Sequence, residues 1–534
     1  MPTETDRAHV RLAELVAALS LGIDLGFGQP MEHVLRQCLI AVRIAEARGL
    51  TDEDRACTYW TALLVNVGCH TDAHEQAKWF GDDISLKADK YAYEMRSLRG
   101  TVAGVRRIGA GHAPLHRFRI GLEFAISGHR DVDGMIAQHA ALARSLAEQL
   151  RLPSDVLDAL GASYEQWDGK GWPGALRGAA VPVASRIAQL AEFVEVAYRT
   201  GGTAGVRELA RSRSGQQFDP ELSTLVLEHC DALVHGLDGV RTWTSVVEAE
   251  PALAHVLVGD ELDAALLAIA DFVDLKSPFT LGHARALSEL LLDAAAVLGL
   301  PPTTCGLLGR AALVSGFGRL SVSNAIWDKP GPLGAGEWER VRLHPYYSER
   351  MLQQSDALAP LGGLAVQLRE RLDGGGYPRG LTAAALTMPA RLLAAADVYQ
   401  AMVEPRPHRP ARSPESAAAE LRREVMAGRL DAAAVDAVLT AAGHRVPRRR
   451  EGPAGLTARE IEVLRLLARG LSNKQIARAL VIATKTAGNH VEHIYTKIGA
   501  TNRAAASLFA VQHGLVPERE GWGESLMEGA APGS

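Results

Sequence analysis

The sequence predicts an all-α chain, and three observations carry that reading. Apolar residues recur at three-and-four spacing through most of the 534 residues, Ala, Leu, Arg and Glu dominate, and period-two alternation is scarce. Residues 1–442 contain an ordered internal repeat. Residues 456–516 read as four short helices with cap signals. The expected order is a first helical bundle over 1–245 with an insertion near 70–135, and a second bundle over 246–442. A basic linker over 443–455, a four-helix module over 456–516 and a disordered tail over 517–534 complete it.

The composition, 47% hydrophobic and 22% charged, is that of an ordinary soluble protein. No apolar run is long enough for a membrane span, and MPTETDRAHVRLAELVAAL lacks the basic-then-apolar order of a signal peptide. A cytoplasmic location without a membrane partner is the expectation. The five cysteines (Cys38, Cys57, Cys69, Cys230 and Cys305) are scattered, which predicts reduced, buried thiols rather than a disulfide framework. Charge is uneven: residues 455–516 hold eight Lys/Arg against three Asp/Glu, a net +5, so the remainder of this chain of net −5 carries −10. A polyanion partner is expected at the C-terminal module only.

The repeat is read from paired landmarks. An offset of 250 residues joins Asp24 to Asp274, His33 to His283, and TALLVNVGC (61–69) to AALVSGFGR (311–319). An offset of 205 joins WDGKGWP (167–173) to LDGGGYP (372–378), and Arg186 to Arg391. The first copy therefore holds 45 extra residues between its landmarks, the difference of the two offsets. In RLDGGGYPRG (371–380) three glycines follow Asp373, a side-chain-poor corner that invites the close approach of a ligand or of another backbone segment.

In the module, Thr457 and Glu460 form a capping box before the stripe Ile461, Leu464, Leu467, and Gly470 ends that helix. Ser472 and Gln475 repeat the pattern for a second helix. Thr484 is expected to cap a third, in which Ala487, Val491, Ile494 and Ile498 form the packed stripe. Lys485, Asn489, Glu492, His493 and Thr496 then face outward, and NRAAASLFAVQHGL closes the bundle. Such a helix-turn-helix poises its third helix for a major groove.

Residues 270–440 resemble HD-GYP domains, all-helical metal-dependent phosphodiesterases that linearise cyclic di-GMP. The resemblance lies in His283, AALVSGFGRLSVSNAIWDKPGPL, EWERVRLHPYYSERML, RLDGGGYPRGL and ARLLAAADVYQAM with Asp397. The first copy resembles the family through WDGKGWP and RSGQQFDPEL. LTAREIEVLRLLARGLSNKQIARAL, KTAGNHVEHIYTKIGA and NRAAA resemble the LuxR-type DNA-binding domain. The implied fold is two HD-domain-like bundles and a LuxR-type helix-turn-helix.

HD-GYP chemistry needs cations that polarise phosphoryl oxygens and acidify a bound water. The family's adjacent His-Asp pair falls at Ser315-Gly316 in the second copy and Val65-Asn66 in the first, and Leu368-Arg369 stand where two further histidines are expected. Glu192 replaces the last aspartate in copy one. His283, His344, Asp373 and Asp397 remain in copy two. No catalytic residue is assigned, and no cofactor is expected. The retained His283, His344 and Asp397, or the group His70, Asp72, His74 with its four-residue histidine spacing, are the candidate metal ligands, for Fe or Mn, if the hydrolase alternative holds. His139 is read as an ordinary helix residue.

The LuxR resemblance implies DNA contacts by Lys474, Lys485, Thr486, Asn489, His493 and Lys497, with Gly488 and Glu492 departing from the pattern. The reading is a homodimeric regulator of double-stranded DNA whose degenerate body senses a cyclic dinucleotide or another small effector. The alternative is a metal-dependent cyclic di-GMP phosphodiesterase coupled to a DNA-binding domain. In the sensing reading Asp373, Tyr377 and Arg391 hold the ligand, with Arg186 as the copy-one counterpart of Arg391 and Trp327 as a further stacking candidate.

Overall fold

Side-chain caps set many of the helix starts. Thr51, Asp219, Ser413, Asp431, Thr457 and Ser472 each accept a hydrogen bond from a backbone N–H in the first turn of the helix that follows. The computed structural model describes residues 9–91, 106–109, 114–124, 129–239, 242–251, 255–444, 453–513 and 515. Parts of the expected insertion, most of the linker and the expected tail lie outside the described residues. The described chain is almost entirely helical and forms two compact units, residues 1–444 and 445–534.

In the first unit the repeat is visible helix by helix. Copy one has α1 (Leu12–Gly26), α2 (His33–Ala47), α3 (Asp52–Leu64), α4 (His129–Gln149) and α5 (Val183–Arg213, kinked at Gly202). Copy two has α6 (Asp260–Asp274), α7 (His283–Val297), α8 (Pro302–Val314), α9 (His344–Leu352) and α10 (Met388–Val403). The Asp24/Asp274 pairing has a local cause. Asp24 Oδ1 accepts from Val34 N at 3.0 Å and Asp274 Oδ2 from Ala284 N at 2.8 Å, so each aspartate caps the next helix of its own copy.

The two copies share one core. Leu19, Ile44 and Leu190 from the first belong to the same buried cluster as Leu266, Ile269, Phe317, Leu320 and Met351 from the second. Helix α1 is apolar on nearly all sides because it is buried on nearly all sides, and its Gly22 lets Leu320 of copy two approach. Each such Leu or Ile removed from water contributes roughly 1.5–3 kcal/mol. A two-strand ladder pairs Val10 with Leu257 and Arg11 with Val256, and polar contacts add to the junction. Asp83 Oδ1 accepts from Ser323 Oγ (2.7 Å) and Asn324 N (2.8 Å).

The second unit contains α11 (Ala458–Ala468), α12 (Asn473–Leu480), α13 (Thr484–Ile498) and α14 (Arg503–Gln512). Both expected capping boxes form, and Gly470 ends α11 with φ 90°. Ala487, Val491 and Ile494 are buried and Ile498 packs beside them. One detail differs from expectation: Thr484 is the first residue of α13, not its cap. The capping position is Ala483, which has no side-chain oxygen to offer.

Candidate functional site

The second copy brings its surviving family residues to one buried place. His283 opens α7, His344 opens α9, Asp397 lies within α10, and all three are buried. His283 Nδ1 donates to Glu404 Oε2 at 2.8 Å, which leaves Nε2 aimed at Asp397 Oδ1, 3.7 Å away. His344 Nδ1 lies 2.7 Å from the Val341 carbonyl, which can only accept, so Nδ1 carries the proton and Nε2 presents a lone pair. Into the same space come Arg369, with Nη1 3.0 Å from Asp397 Oδ2, and Arg319, with Nη1 3.6 Å from Asp274 Oδ1.

The electrostatics follow from that geometry. Burial opposes the charge of Asp397, but the Arg369 guanidinium and His283 hold its carboxyl well below the usual carboxylate range. Burial, with Arg369 and Arg319 adding repulsion, pushes His344 down to about 3, so its ring is neutral. The rings of Trp327 and Tyr377 approach His344 edge-on, at 5.3 and 6.3 Å.

The first copy places a different set on the same scaffold. His33 Nδ1 donates to Glu195 at 2.5 Å, and Glu195 raises the imidazole pKa against the effect of burial. Glu192 Oε1 accepts from Lys90 Nζ (2.8 Å), Tyr91 Oη (2.7 Å) and Asn66 Nδ2 (3.2 Å). The Lys90 ammonium also sits 5.7–6.0 Å from the rings of Phe27, Tyr91, Tyr164 and Phe193. Cys69 Sγ meets the Tyr164 hydroxyl at 2.8 Å, and His139 Nε2 meets Asp72 at 2.8 Å.

His139 lies within α4, as expected, but it is buried and its Nε2 meets Asp72 at 2.8 Å. It is the counterpart of His344 at the offset of 205, and the equivalence extends to the backbone. Gly68 and Gly318 occupy equivalent turns, and a Cβ at either would fall 2.2 Å from the His139 carbonyl or 1.8 Å from that of His344. Only glycine allows that approach. Applying the 205 offset to His344 would have found His139. The same offset pairs Tyr164 with Arg369, and the offset of 250 pairs Cys69 with Arg319. Lys90 was missed for another reason: it lies in the insertion and has no counterpart in the second copy.

The two glycine corners are shaped by the chain itself. A Cβ at Gly376 would lie 2.4 Å from Glu370 Cα, and one at Gly171 would lie 2.5 Å from Glu165 Cα. The close approach that the glycines permit is made by the chain's own backbone. Buried Glu370 accepts from Arg379 N and Leu381 N, both at 2.8 Å, and Glu165 accepts from Gly174, Ala175 and Leu176. Asp373 is exposed and turns the corner by accepting from Gly375 N at 2.8 Å. Half-buried Tyr377 of the corner meets the His344 ring edge-on.

Arg391 is engaged elsewhere: it binds Asp431 (3.0 Å) and the Leu386 and Ala383 carbonyls (2.9 and 2.7 Å). Arg186 is tied in the same way to Asp219 and the Val181 carbonyl. Both arginines are structural ties in place of the free anion donors the sequence reading assigned.

The metal candidates divide into two outcomes. His70 and His74 do not share a helix face. His70 ends a 3-10 turn (Val67–His70), and the helix bearing His74 starts afresh at Ala73. His70 faces the Val67 and Phe272 carbonyls at 2.7 Å each, and His74 Nδ1 lies 2.8 Å from Asp328. Asp72, the third of that group, is engaged by His139 and Gln76.

In copy two, His283 Nε2 stays 3.7 Å from Asp397 Oδ1, and His344 Nε2 makes no hydrogen bond among the described residues. The rest does not fit a two-ion site. Ser315 donates its hydroxyl to Ala312 O at 2.7 Å, Gly316 offers no ligand, and a Cβ there would lie 3.8 Å from Arg319 Nη1. Two guanidiniums occupy the space and would repel a dication. Among the described residues no three His, Cys, Asp or Glu side chains gather around one point.

On α12 and α13 of the second unit, Lys474, Lys485, Thr486, Asn489 and His493 are exposed. Lys497 is used differently: its Nζ donates to Glu460 Oε2 at 2.8 Å and to Gly455 O at 3.1 Å, which secures the capping box of α11. Gly488 faces α12, where its nearest neighbour across the gap is Asn473 Nδ2, 3.7 Å from a built Cβ.

Comparison with known proteins agrees with this architecture. An HD domain family matches residues 130–222 and 268–434, and the family of bacterial regulatory proteins of luxR type matches 454–510. The 3'3'-cGAMP-specific phosphodiesterase 3 of Vibrio cholerae is 30% identical over 405 residues, covering 75% of this chain and 88% of that protein. The 3'3'-cGAMP-specific phosphodiesterase 1 of the same organism is 33% identical over 243 residues, 45% of this chain and 54% of that protein. A crystal structure of a cyclic GMP-AMP specific phosphodiesterase of V. cholerae aligns with a TM-score of 0.57 at 25% identity, over 82% of this chain and 99% of that one. The chain belongs to the HD-domain family, is homologous to HD-GYP phosphodiesterases, and carries a luxR-family helix-turn-helix module.

Proposed function

We propose that this chain is a DNA-binding transcriptional regulator whose HD body senses a small ligand instead of hydrolysing one. The observation that carries the reading is the replacement of metal-binding positions by organic cations and uncharged groups. Arg369 pairs with Asp397, Lys90 pairs with Glu192, and Ser315-Gly316 and Val65-Asn66 stand where the family's His-Asp pair belongs. A guanidinium satisfies a carboxylate electrostatically but cannot lower the pKa of a bound water as a dication does. The regulator acts in the cytoplasm as a homodimer on paired half-sites of double-stranded DNA.

The exposed α13 face supports the DNA role. Asn489 is suited to reading an adenine edge, and Lys485 and Lys474 to contacting phosphates. Asn489→Ala is expected to weaken operator binding by about 1–3 kcal/mol and to relax specificity at one base pair. Lys485→Ala is expected to weaken binding to all sequences alike and to reduce the salt slope by about one. Operator and random-sequence titrations at several salt concentrations measure both, and unchanged binding in both variants overturns the docking face.

A second reading is favoured by the retention of His283, His344 and Asp397, with Nε2 of both histidines free of a hydrogen bond among the described residues, and by the names of the Vibrio relatives. In it the chain hydrolyses a cyclic dinucleotide such as 3'3'-cGAMP or cyclic di-GMP, with Fe or Mn bound. Incubating the full chain with either nucleotide after loading with Fe or Mn decides between the readings. A linear product establishes the hydrolase, and its absence together with retained operator binding leaves the sensor.

A further inference from the structure

Five buried side-chain nitrogens around Asp397 and His344 of copy two have no hydrogen-bond partner among the described residues. They are Arg319 Nε and Nη1, Arg369 Nε, His283 Nε2 and His344 Nε2. Arg319, His283 and His344 are each more than nine-tenths buried, so bulk water does not compensate them. An orphaned guanidinium N–H is costly to bury, and a native site that keeps several of them points to an absent acceptor.

Asp397 is not that acceptor. It approaches Arg369 at ion-pair distance, yet both of its oxygens also lack a properly directed hydrogen bond. Four guanidiniums (Arg319, Arg369, Arg371 and Arg406) interact around this space with four carboxylates (Asp274, Asp397, Glu404 and Glu424), so the unpartnered arginine N–H groups, not a net charge, are what call for an acceptor. Arg369, beside Tyr377, keeps 20% of its side chain exposed.

We propose that the second pocket binds an oxyanion of the phosphate class between Arg319 and Arg369, without a metal ion. The planar guanidinium fork matches tetrahedral oxyanion edges and supplies charge-assisted N–H donors. His344 Nε2 accepts from a ligand hydroxyl or from a bridging water. The first pocket lacks both guanidinium forks, because Cys69 and Tyr164 stand at the two arginine positions and bond to each other. The inference deepens the sensor reading by naming the chemistry the sensor takes.

The test is calorimetric titration of the full chain, in the presence of a metal chelator, with inorganic phosphate and separately with a linear dinucleoside phosphate. Saturable binding of at least one probe is expected, weakened about 10- to 100-fold by Arg319→Gln or Arg369→Gln and unchanged by Cys69→Ala. Tighter binding of the dinucleoside phosphate assigns a phosphodiester ligand, and tighter binding of phosphate assigns the free anion. Failure of both probes to bind, or equal binding by the wild type and both glutamine variants, overturns the site.

Should a glutamine variant fail to fold by thermal circular dichroism, Arg369→Lys decides. It keeps the charge and loses the fork, so weaker binding supports the site and full affinity refutes it. The sensor reading fails separately. Phosphate binding that leaves operator affinity unmoved keeps the pocket and removes the sensor. Operator affinity that responds to a cyclic dinucleotide equally in wild type and Arg319→Gln keeps the sensor and removes the pocket.

Discussion

Cys69 and Tyr164 stand in the first pocket where Arg319 and Arg369 stand in the second, on scaffolds whose capping aspartates, histidines and close-approach glycines match one for one. Both pockets keep a buried carboxylate on the long helix, Glu192 or Asp397, and each gives it a cation. In copy one the cation is Lys90, supplied by the insertion, and the carboxylate accepts from three donors. In copy two the cations come from in-place arginines that retain unused N–H groups. A buried carboxylate needs a compensating charge, and the duplicated fold meets that requirement twice by different routes. The first route closes three donors around the carboxylate, and the second leaves guanidinium N–H groups without partners among the described residues.

The largest expected effect tests whether copy one is closed. Lys90→Met leaves Glu192, whose side chain is 2% exposed, without its cation, and is expected to cost about 3–5 kcal/mol in urea unfolding. Adding Glu192→Leu should recover most of that loss. A neutral Lys90→Met would show that the two pockets do not differ in this way.

The corners come next, at about 2 kcal/mol each. Glu165→Ala removes the buried acceptor of three part-buried backbone N–H groups and Glu370→Ala that of two, so the first is expected to be the more destabilising. The reverse order would mean that backbone satisfaction is not what holds these loops.

Proton linkage separates the copies by sign. Burial pushes His344 from 6.5 down to about 3, so the unfolded chain takes up a proton that the folded chain refuses, and stability falls as pH drops from 6.5 toward 3. In copy one, burial is outweighed by Cys69 and Asp72, which push His139 from 6.5 up to about 10. That stability is fully present below pH 6.5 and is lost as pH rises toward 10. Urea midpoints across pH should show His344→Gln flattening the acid limb and His139→Gln the alkaline limb. Exchanged limbs would contradict the assignment.

The smallest effect belongs to the position that mirrors Arg369. Tyr164→Phe removes the hydroxyl that meets Cys69 at 2.8 Å and the Val65 carbonyl at 3.3 Å, an expected loss of about 1 kcal/mol with oxyanion binding unchanged. A change in phosphate affinity in this variant would couple the two pockets.

Much of this was legible without coordinates. Capping boxes, stripes and repeat offsets are local or periodic signals, and Thr457-Glu460, Ser472-Gln475 and the two offsets reappear as expected. His139 was readable in principle, since the offset that pairs the glycine corners also lands on it. Arg391, Arg186 and Lys497 were not. Each looks like a free cation in the sequence, and each is tied to partners distant along the chain: Asp431, Asp219 and Glu460. The four-residue spacing of His70 and His74 misled because a shared face requires one continuous helix, and the chain breaks between them.

The sequence by itself determined the helical class, the duplication, the DNA-binding module and the loss of the His-Asp pair, because periodicity, caps and side-chain identity are properties of short stretches. Tertiary structure alone decided what compensates the buried carboxylates and which donors stay free. Lys90 and Glu192 are 102 residues apart and Arg369 reaches Asp397 from a separate element, so their charges meet only when the packed core brings the elements together.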